Sequence, residues 1–344
     1  MRSLPVLILL TALAAGAVAA QQPAAGVPIA DPAPAPPPFD DWFTALLAEA
    51  RARGYSERVL EDTLSGVEPL ERVIQSDRSQ AELTPGFERY LSSRLTNATV
   101  RRGRDLARQH RTLLRRVSAK YGVPSRFLVA IWGVETRYGR VTGRVPVFQA
   151  LTTLAWEPRR ADFFRRELFD ALTIVSNGYV RAAQMKGSWA GAMGQTQFMP
   201  SSYLKHAVDF DGDGDRDIWS STGDALASIA SYLKAYGWTS DSTWGREVRV
   251  SRAAGERIAA AVPMRQAGCY AIRNMTERVL LSRWRELGVT RADGGPLPTA
   301  HLSAGLVTTD TRQFLVYENY DAILGYNCAH YYALTVALLA DRLR

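Results

Sequence analysis

The sequence predicts a mainly α fold, α+β overall, with one small β-containing subdomain, and three observations predict it. Across residues 39–155 the apolar side chains recur at helical spacing. Helical patterns return at 161–176, 222–236 and 328–343. Strand character is confined to 246–250 and 314–317, which flank a Gly-rich, turn-rich stretch. No internal repeat breaks this order.

The chain opens with Arg2, an apolar run over 4–18 and the small residues Ala17-Val18-Ala19-Ala20, the pattern of a cleaved signal peptide over 1–20. A membrane anchor is the alternative, but the run is shorter than the roughly 20 residues a spanning helix needs. Lipidation requires a cysteine at the cleavage point, and none precedes Cys269. The expectation is a soluble exported protein, most simply periplasmic, with neither membrane span nor lipid anchor. Residues 21–38 form a Pro/Ala tract that cannot build a packed core and reads as an extended tether.

A helical N-terminal subdomain is expected over 39–90, with Phe43, Leu46, Leu47 and Ala50 on one helix face. In the main core, expected over 91–242, Leu106, Leu113, Leu114 and Val117 continue the helical pattern up to Gly122-Val123-Pro124. Ser125 is then placed to cap the next helix. A small α/β subdomain is expected over 243–318. The segment 319–344 carries a last helix, apolar at Tyr332, Leu334, Val336, Leu338 and Leu339, that should return to the core.

The formal charge of +8 falls to +7 once Arg2 leaves with the leader, and a basic exported protein suggests an anionic partner. Nucleic acid is the wrong polyanion in that compartment, whereas peptidoglycan stem peptides carry free carboxylates. Dispersed arginines that merely aid solubility are the alternative. Cys269 and Cys328 could pair in an oxidising compartment or remain two small buried hydrophobes.

Chemistry enters at Glu135. The preceding run Phe127-Leu128-Val129-Ala130-Ile131-Trp132-Gly133-Val134 is apolar on nearly every face, so its helix should be buried. A carboxylate at the C-terminal end of such a helix has both desolvation and the helix dipole against its ionised form, and its pKa should rise. Glycoside cleavage requires a general acid of that kind near neutral pH. A structural ion pair with Arg137 or Arg140 is the alternative.

Glu135 sits within Ile131-Trp132-Gly133-Val134-Glu135-Thr136-Arg137-Tyr138-Gly139-Arg140, and Gly187-Ser188-Trp189-Ala190-Gly191-Ala192-Met193-Gly194-Gln195-Thr196-Gln197-Phe198-Met199-Pro200 follows downstream. With Pro158-Arg159-Arg160-Ala161, an Asp-rich loop and Tyr326-Asn327 in order, the chain from about residue 90 onward resembles the lytic murein transglycosylase B family, glycoside hydrolase family 103. The resemblance implies a lysozyme-like core that cuts the β-1,4 bond between N-acetylmuramic acid and N-acetylglucosamine without water. Glu135 would protonate the glycosidic oxygen, then deprotonate the muramyl C6 hydroxyl as it closes on C1 to give a 1,6-anhydro end. The substrate's own N-acetyl oxygen would replace a second carboxylate.

By the same resemblance Ser188 would contact the N-acetyl group, and Gln197 and Asn327 would line the cleft. Tyr90, Tyr232, Tyr326 and Tyr332 would be cleft tyrosines, with core packing an even alternative for Tyr332. Arg159 and Arg160 would hold peptide or lactyl carboxylates. Aromatic faces for pyranose C–H surfaces and amides for hydroxyls make physical sense of this set.

Asp209, Asp211, Asp213, Asp215 and Asp217 occupy positions 1, 3, 5, 7 and 9 of an EF-hand-like loop with Gly214 at 6. Ser220 stands at position 12 in place of a Glu, and Asp224 matches the later Asp with which the family closes the loop. The expected ligands of a structural Ca2+ are the side chains of Asp209, Asp211, Asp213 and Asp224 and the backbone carbonyl of Asp215. A solvated acidic turn is the alternative.

No catalytic cofactor is expected. A hydrolase resembling goose-type lysozyme and a catalytically idle wall-binding scaffold remain rival readings. His110, His206, His301 and His330 lack zinc-peptidase spacing, and no phosphate loop is present. Glycan strands are the expected partner of a monomer; contacts with cell-wall synthesis proteins are possible but not identified by any motif.

Overall fold

The computed structural model describes residues 35–79 and 86–344. The leader and residues 21–34 of the tether lie outside the described residues. The architecture is mainly helical with small antiparallel sheets, as the periodicity predicts.

The first helices, Phe39–Ala52 and Glu57–Leu64, bury Leu46, Ala50, Leu60 and Leu64 in the same hydrophobic cluster that runs on to Ala340. The centre of that cluster is the Ser125–Thr136 helix, whose residues from Phe127 to Gly133 are all buried. The Asn97–Gln109, Thr222–Ala235 and His330–Arg342 helices pack around it. Burying the Phe127, Leu128 and Ile131 side chains contributes roughly 1.5–3 kcal/mol each. A polar residue introduced there would break the centre of the fold.

Ser125 is not the N-cap expected for this helix. Pro124 holds that position at φ −62 and ψ 135, its fixed ring geometry setting the entry. The Ser125 hydroxyl instead lies 2.9 Å from that of Ser118 and donates to the Leu114 carbonyl at 3.4 Å, tying the helix to its predecessor. The preceding helical stretch is also split. His110, at φ −97 and ψ 20, separates Asn97–Gln109 from Arg111–Tyr121.

A second cluster, from Val248 to Tyr317, fills a five-stranded antiparallel sheet. Its strand order is Val279–Leu280, Ser303–Thr308, Gln313–Val316, Gly245–Arg249, Thr290–Arg291. Val248, Leu306 and Leu315 face this small core, whereas Val307, Phe314 and Val316 face the main one. That two-sided burial follows the alternation of a strand. Cys269 and Cys328 are disulfide-bonded, with Cα atoms 6.3 Å apart, and join this region to the segment between the last two helices.

Among the described residues no single helix is long and apolar enough to cross a membrane. The Glu318–Tyr326 and His330–Arg342 helices pass by composition only as a pair bent by 116°, and most of their apolar residues are buried in the protein.

Candidate active site

The Ser125–Thr136 helix ends one residue after Glu135, and the way it ends shapes the site. Arg137 at φ 50, Tyr138 at φ 63 and Gly139 at φ 77 turn the chain back in three successive left-handed steps. Among the described residues the non-glycine positions with positive φ are Arg137, Tyr138 and Gln197. Strained backbone of this kind costs of order 1–3 kcal/mol per residue and concentrates at functional sites. Tyr138 folds over Gly133, where a Cβ would lie 2.6 Å from its ring, and donates to the Thr99 carbonyl at 2.8 Å.

The loop after Gly187 is bolted to this turn by Gln195. Its side-chain carbonyl accepts from the Trp132 indole at 2.9 Å, and its amide donates to the Trp219 carbonyl at 3.1 Å. Its backbone carbonyl accepts from the Thr136 hydroxyl at 3.1 Å. Sequence reasoning singled out neither Gln195 nor Thr136, although both lie inside the quoted motifs. Ser188 staples the same loop, its Oγ accepting from the amides of Ala190 at 3.2 Å and Ala192 at 3.1 Å. Its hydroxyl proton remains free to be donated.

Glu135 is 3 % exposed. The Tyr332 hydroxyl donates to its Oε1 at 2.5 Å, while its Oε2 is buried without a partner. Burial pushes its pKa up to about 8, against the opposing effects of the Tyr332 hydrogen bond and the positive field of Arg94. Neither Arg137 nor Arg140 pairs with it, which removes the ion-pair alternative. Arg94, which the sequence reading missed, lies 3.7 Å over the Tyr90 ring. Its position one helical turn after Tyr90 was the available signal.

Two further buried acceptors, Gln197 Oε1 and Asn327 Oδ1, have no partner. Buried polar atoms are rarely left so, and two orphaned acceptors on segments adjoining the protonated Glu135 carboxyl fit a site that exchanges hydrogen bonds with a ligand. The Gln197 amide holds its own backbone bend, donating to the Thr142 carbonyl at 3.1 Å and the Gly194 carbonyl at 2.9 Å.

The tyrosines separate into distinct roles. Tyr326 donates to the Thr196 carbonyl at 2.6 Å and runs nearly parallel to Tyr332, their centroids 6.5 Å apart. Tyr232 donates to the Gly325 carbonyl at 2.6 Å and is covered by Tyr236, which stacks on it at 4.4 Å. Tyr232, Tyr326 and Tyr332 are buried, so they form the wall of the site instead of open sugar platforms. Tyr90 retains a partly exposed ring. In place of Tyr232 the exposed member of the stack is Tyr236, at 48 %.

Arg159 and Arg160 require a correction. Both pair with Asp77, which is 1 % exposed: Arg159 Nε donates to Oδ2 at 2.6 Å, and Arg160 bonds Oδ1. Beside them Arg78 pairs with Glu157 at 3.0 Å. An internal carboxylate thus holds both guanidiniums, and removing either would leave a buried charge poorly compensated. They lock the Glu71–Ser79 helix to the segment following Trp156, which gives both a structural role that the sequence reading did not assign.

In the acidic loop, Asp209, Asp211 and Asp213 bring carboxylate oxygens within 4.8 Å of one another. Asp209 accepts from the amides of Gly212 and Gly214, at 2.6 and 2.9 Å, which folds the loop around these oxygens. Asp215 donates its amide to Asp213 at 2.9 Å. Asp224 lies outside the group of three. Its oxygens accept the amides of Phe210 at 2.8 Å and Asp217 at 2.9 Å, because it is buried under the loop. Burial raises its pKa to about 6 despite those bonds, with Asp211 and Asp209 adding repulsion. An all-oxygen set whose members repel one another has the chemistry of a hard-cation site.

Residues 38–341 match the family model for the transglycosylase SLT domain, and the chain belongs to that family. Among solved structures it is similar to SltB3 from Pseudomonas aeruginosa in complex with NAG-anhNAM-pentapeptide. The TM-score is 0.80 at 42 % identity, covering 88 % of this chain and 78 % of that one. Escherichia coli Slt35 in complex with bulgecin A is similar at TM-score 0.73 and 31 % identity, over 89 % of this chain and 92 % of that one. The membrane-bound lytic murein transglycosylase B of Escherichia coli (strain K12) is 39 % identical over 195 residues, 54 % of each chain. The match thus spans about half the length of that curated relative.

Proposed function

We propose that the protein is a peptidoglycan lytic transglycosylase acting in the periplasm, with Glu135 as its single acid and base. The observation that carries this reading is the state of Glu135: buried, protonated at neutral pH, with one oxygen free and no other carboxylate among the causes of its shift. A hydrolase of the usual two-carboxylate kind needs a second acid, and a transglycosylase does not.

The protonated Glu135 gives its proton to the leaving glycosidic oxygen. The resulting carboxylate, held by Tyr332, then takes the proton of the muramyl C6 hydroxyl as that oxygen bonds C1. One glycosidic bond breaks, one intramolecular acetal bond from C1 to O6 forms, and Glu135 ends as it began, protonated. Ser188 Oγ–H donates to the N-acetyl oxygen, while Asn327 Oδ1 and Gln197 Oε1 accept from sugar hydroxyls or amides. Tyr90 offers a ring face to the sugar, and Tyr326 and Tyr332 hold the wall behind.

The acidic loop fits a structural calcium ion held by Asp209, Asp211 and Asp213, with the Asp215 carbonyl and Asp224 completing it; Slt35 was solved in complex with calcium. The ion would stiffen the loop between the Pro200–His206 and Thr222–Ala235 helices and take no part in the chemistry. The deciding experiment is mass spectrometry of digested murein. New 1,6-anhydromuramic acid ends support the reading, and reducing muramic acid ends overturn it.

A further inference from the structure

The net charge of +8 is not spread over the chain. Residues 101–120 contain Arg101, Arg102, Arg104, Arg108, Arg111, Arg115, Arg116 and Lys120 against the single acid Asp105, a segment charge of +7. One pair of helices therefore carries nearly all the imbalance. Every one of these basic side chains is exposed. Among the described residues the only ion pair they make is that of Arg108 with Asp105.

The spacing is costly. Arg104 and Arg108, and likewise Arg111 and Arg115, stand four residues apart on their helices, and Arg101 and Arg104 three apart. Like charges at those offsets repel. Arg116 and Lys120 differ from the rest, lying 5.2 and 5.4 Å from the ring of Phe210 in the acidic loop. The unbalanced face is thus Arg101, Arg102, Arg104, Arg111 and Arg115, with Arg108 beside them paired to Asp105.

This face backs directly onto the candidate active site. Behind Arg102 and Arg104 a Cβ on Gly103 would lie 2.5 Å from the Tyr138 hydroxyl, and Tyr138 follows Glu135 by three residues. His110, at the break between the two helices, sets its ring edge-on to Trp132 with centroids 6.0 Å apart.

We propose that this arginine face is a docking surface for the peptide-stem carboxylates of polymeric murein, outside the cleavage site and adjoining it. The proposal rests on the transglycosylase reading for the identity of the polymer. An anionic membrane is the other polyanion of that compartment, and the composition of the face disfavours it. A helix lying on lipid presents Trp, Phe or Leu beside its basic residues. The exposed large hydrophobics here are Tyr236, Met264, Tyr270 and Leu280, none of them on these helices.

The test uses the full chain with Arg101, Arg104, Arg108, Arg111 and Arg115 all changed to Gln, and a second variant with the same five changed to Lys. Binding is measured to insoluble sacculi, to peptide-free glycan strands and to phosphatidylglycerol vesicles. At low salt the Gln variant should bind sacculi about tenfold more weakly than wild type. The difference should close near 1 M salt, where the Debye length is about 3 Å. Peptide-free glycan should be bound and cut equally by both, and the Lys variant should behave as wild type. Unchanged sacculus binding, an equal loss on peptide-free glycan, or a loss seen on vesicles and not on sacculi would each overturn the proposal. Reducing ends in the wild-type digest would overturn the activity instead and leave the binding comparison interpretable.

Discussion

The buried acid leaves a signature in stability that needs no substrate. Glu135 has an ordinary pKa of 4.5 and a folded pKa of about 8, so between those values the unfolded chain is ionised there while the folded protein keeps the proton. The folded state then binds more protons than the unfolded one, and stability falls as pH rises through this window, by about 1.4 kcal/mol per pH unit. The loss is near zero below pH 4.5. It amounts to about 3 kcal/mol at pH 7 and about 5 kcal/mol above pH 8. Glu135→Gln keeps the shape and an oxygen to accept from Tyr332, but has no proton to lose. The variant should therefore match wild type at pH 4.5 and exceed it by about 3 kcal/mol at pH 7, a rise of roughly 4–5 °C in melting midpoint. Denaturant unfolding of both proteins at pH 4.5, 7 and 8.5 reads the difference. Parallel stability profiles would refute a neutral buried Glu135.

The remaining expectations concern the neighbours of that acid and the supports of the fold. Tyr332→Phe removes a hydrogen bond that lowers the Glu135 pKa, so the alkaline limb of the kcat/KM profile should move to higher pH; a limb that stays in place or moves down contradicts the assigned contact. Cys328→Ser opens a link across a sequence separation of 59 and should cost about 4 kcal/mol by chain entropy, measured as a drop in denaturation midpoint that reductant reproduces in wild type. Added calcium should raise the melting midpoint, and Asp211→Asn should abolish the rise; identical curves with calcium and with chelator would remove the ion from the account.

Much of this was legible because a few segments leave physics no choice. The run from Phe127 to Val134 has no polar face, so it had to be central, and a carboxylate at its end had to be desolvated. The break at His110 was hidden because Leu106 and Leu113 stand seven residues apart and keep the apolar face in phase across it. Three of the five strands of the larger sheet escaped notice. Val279–Leu280 and Thr290–Arg291 are too short for an alternating pattern, and Ser303–Thr308 contains Gly305, packed against the Thr276 carbonyl. The pairing of Asp77 with Arg159 and Arg160 spans more than eighty residues and depends on how two helices dock, which periodicity does not encode. Tyrosine hydroxyls were likewise visible as residue types while their partners, Thr196, Gly325 and Glu135, were fixed only by tertiary packing.

The most direct measurement of the central claim is the rate at which Glu135→Gln releases 1,6-anhydromuramic acid ends from purified sacculi, followed by mass spectrometry beside the wild type. A lone acid and base predicts a loss of at least about a thousandfold, since both proton transfers depend on it. A Gln variant that releases those ends at a rate near wild type would show that another group moves the protons.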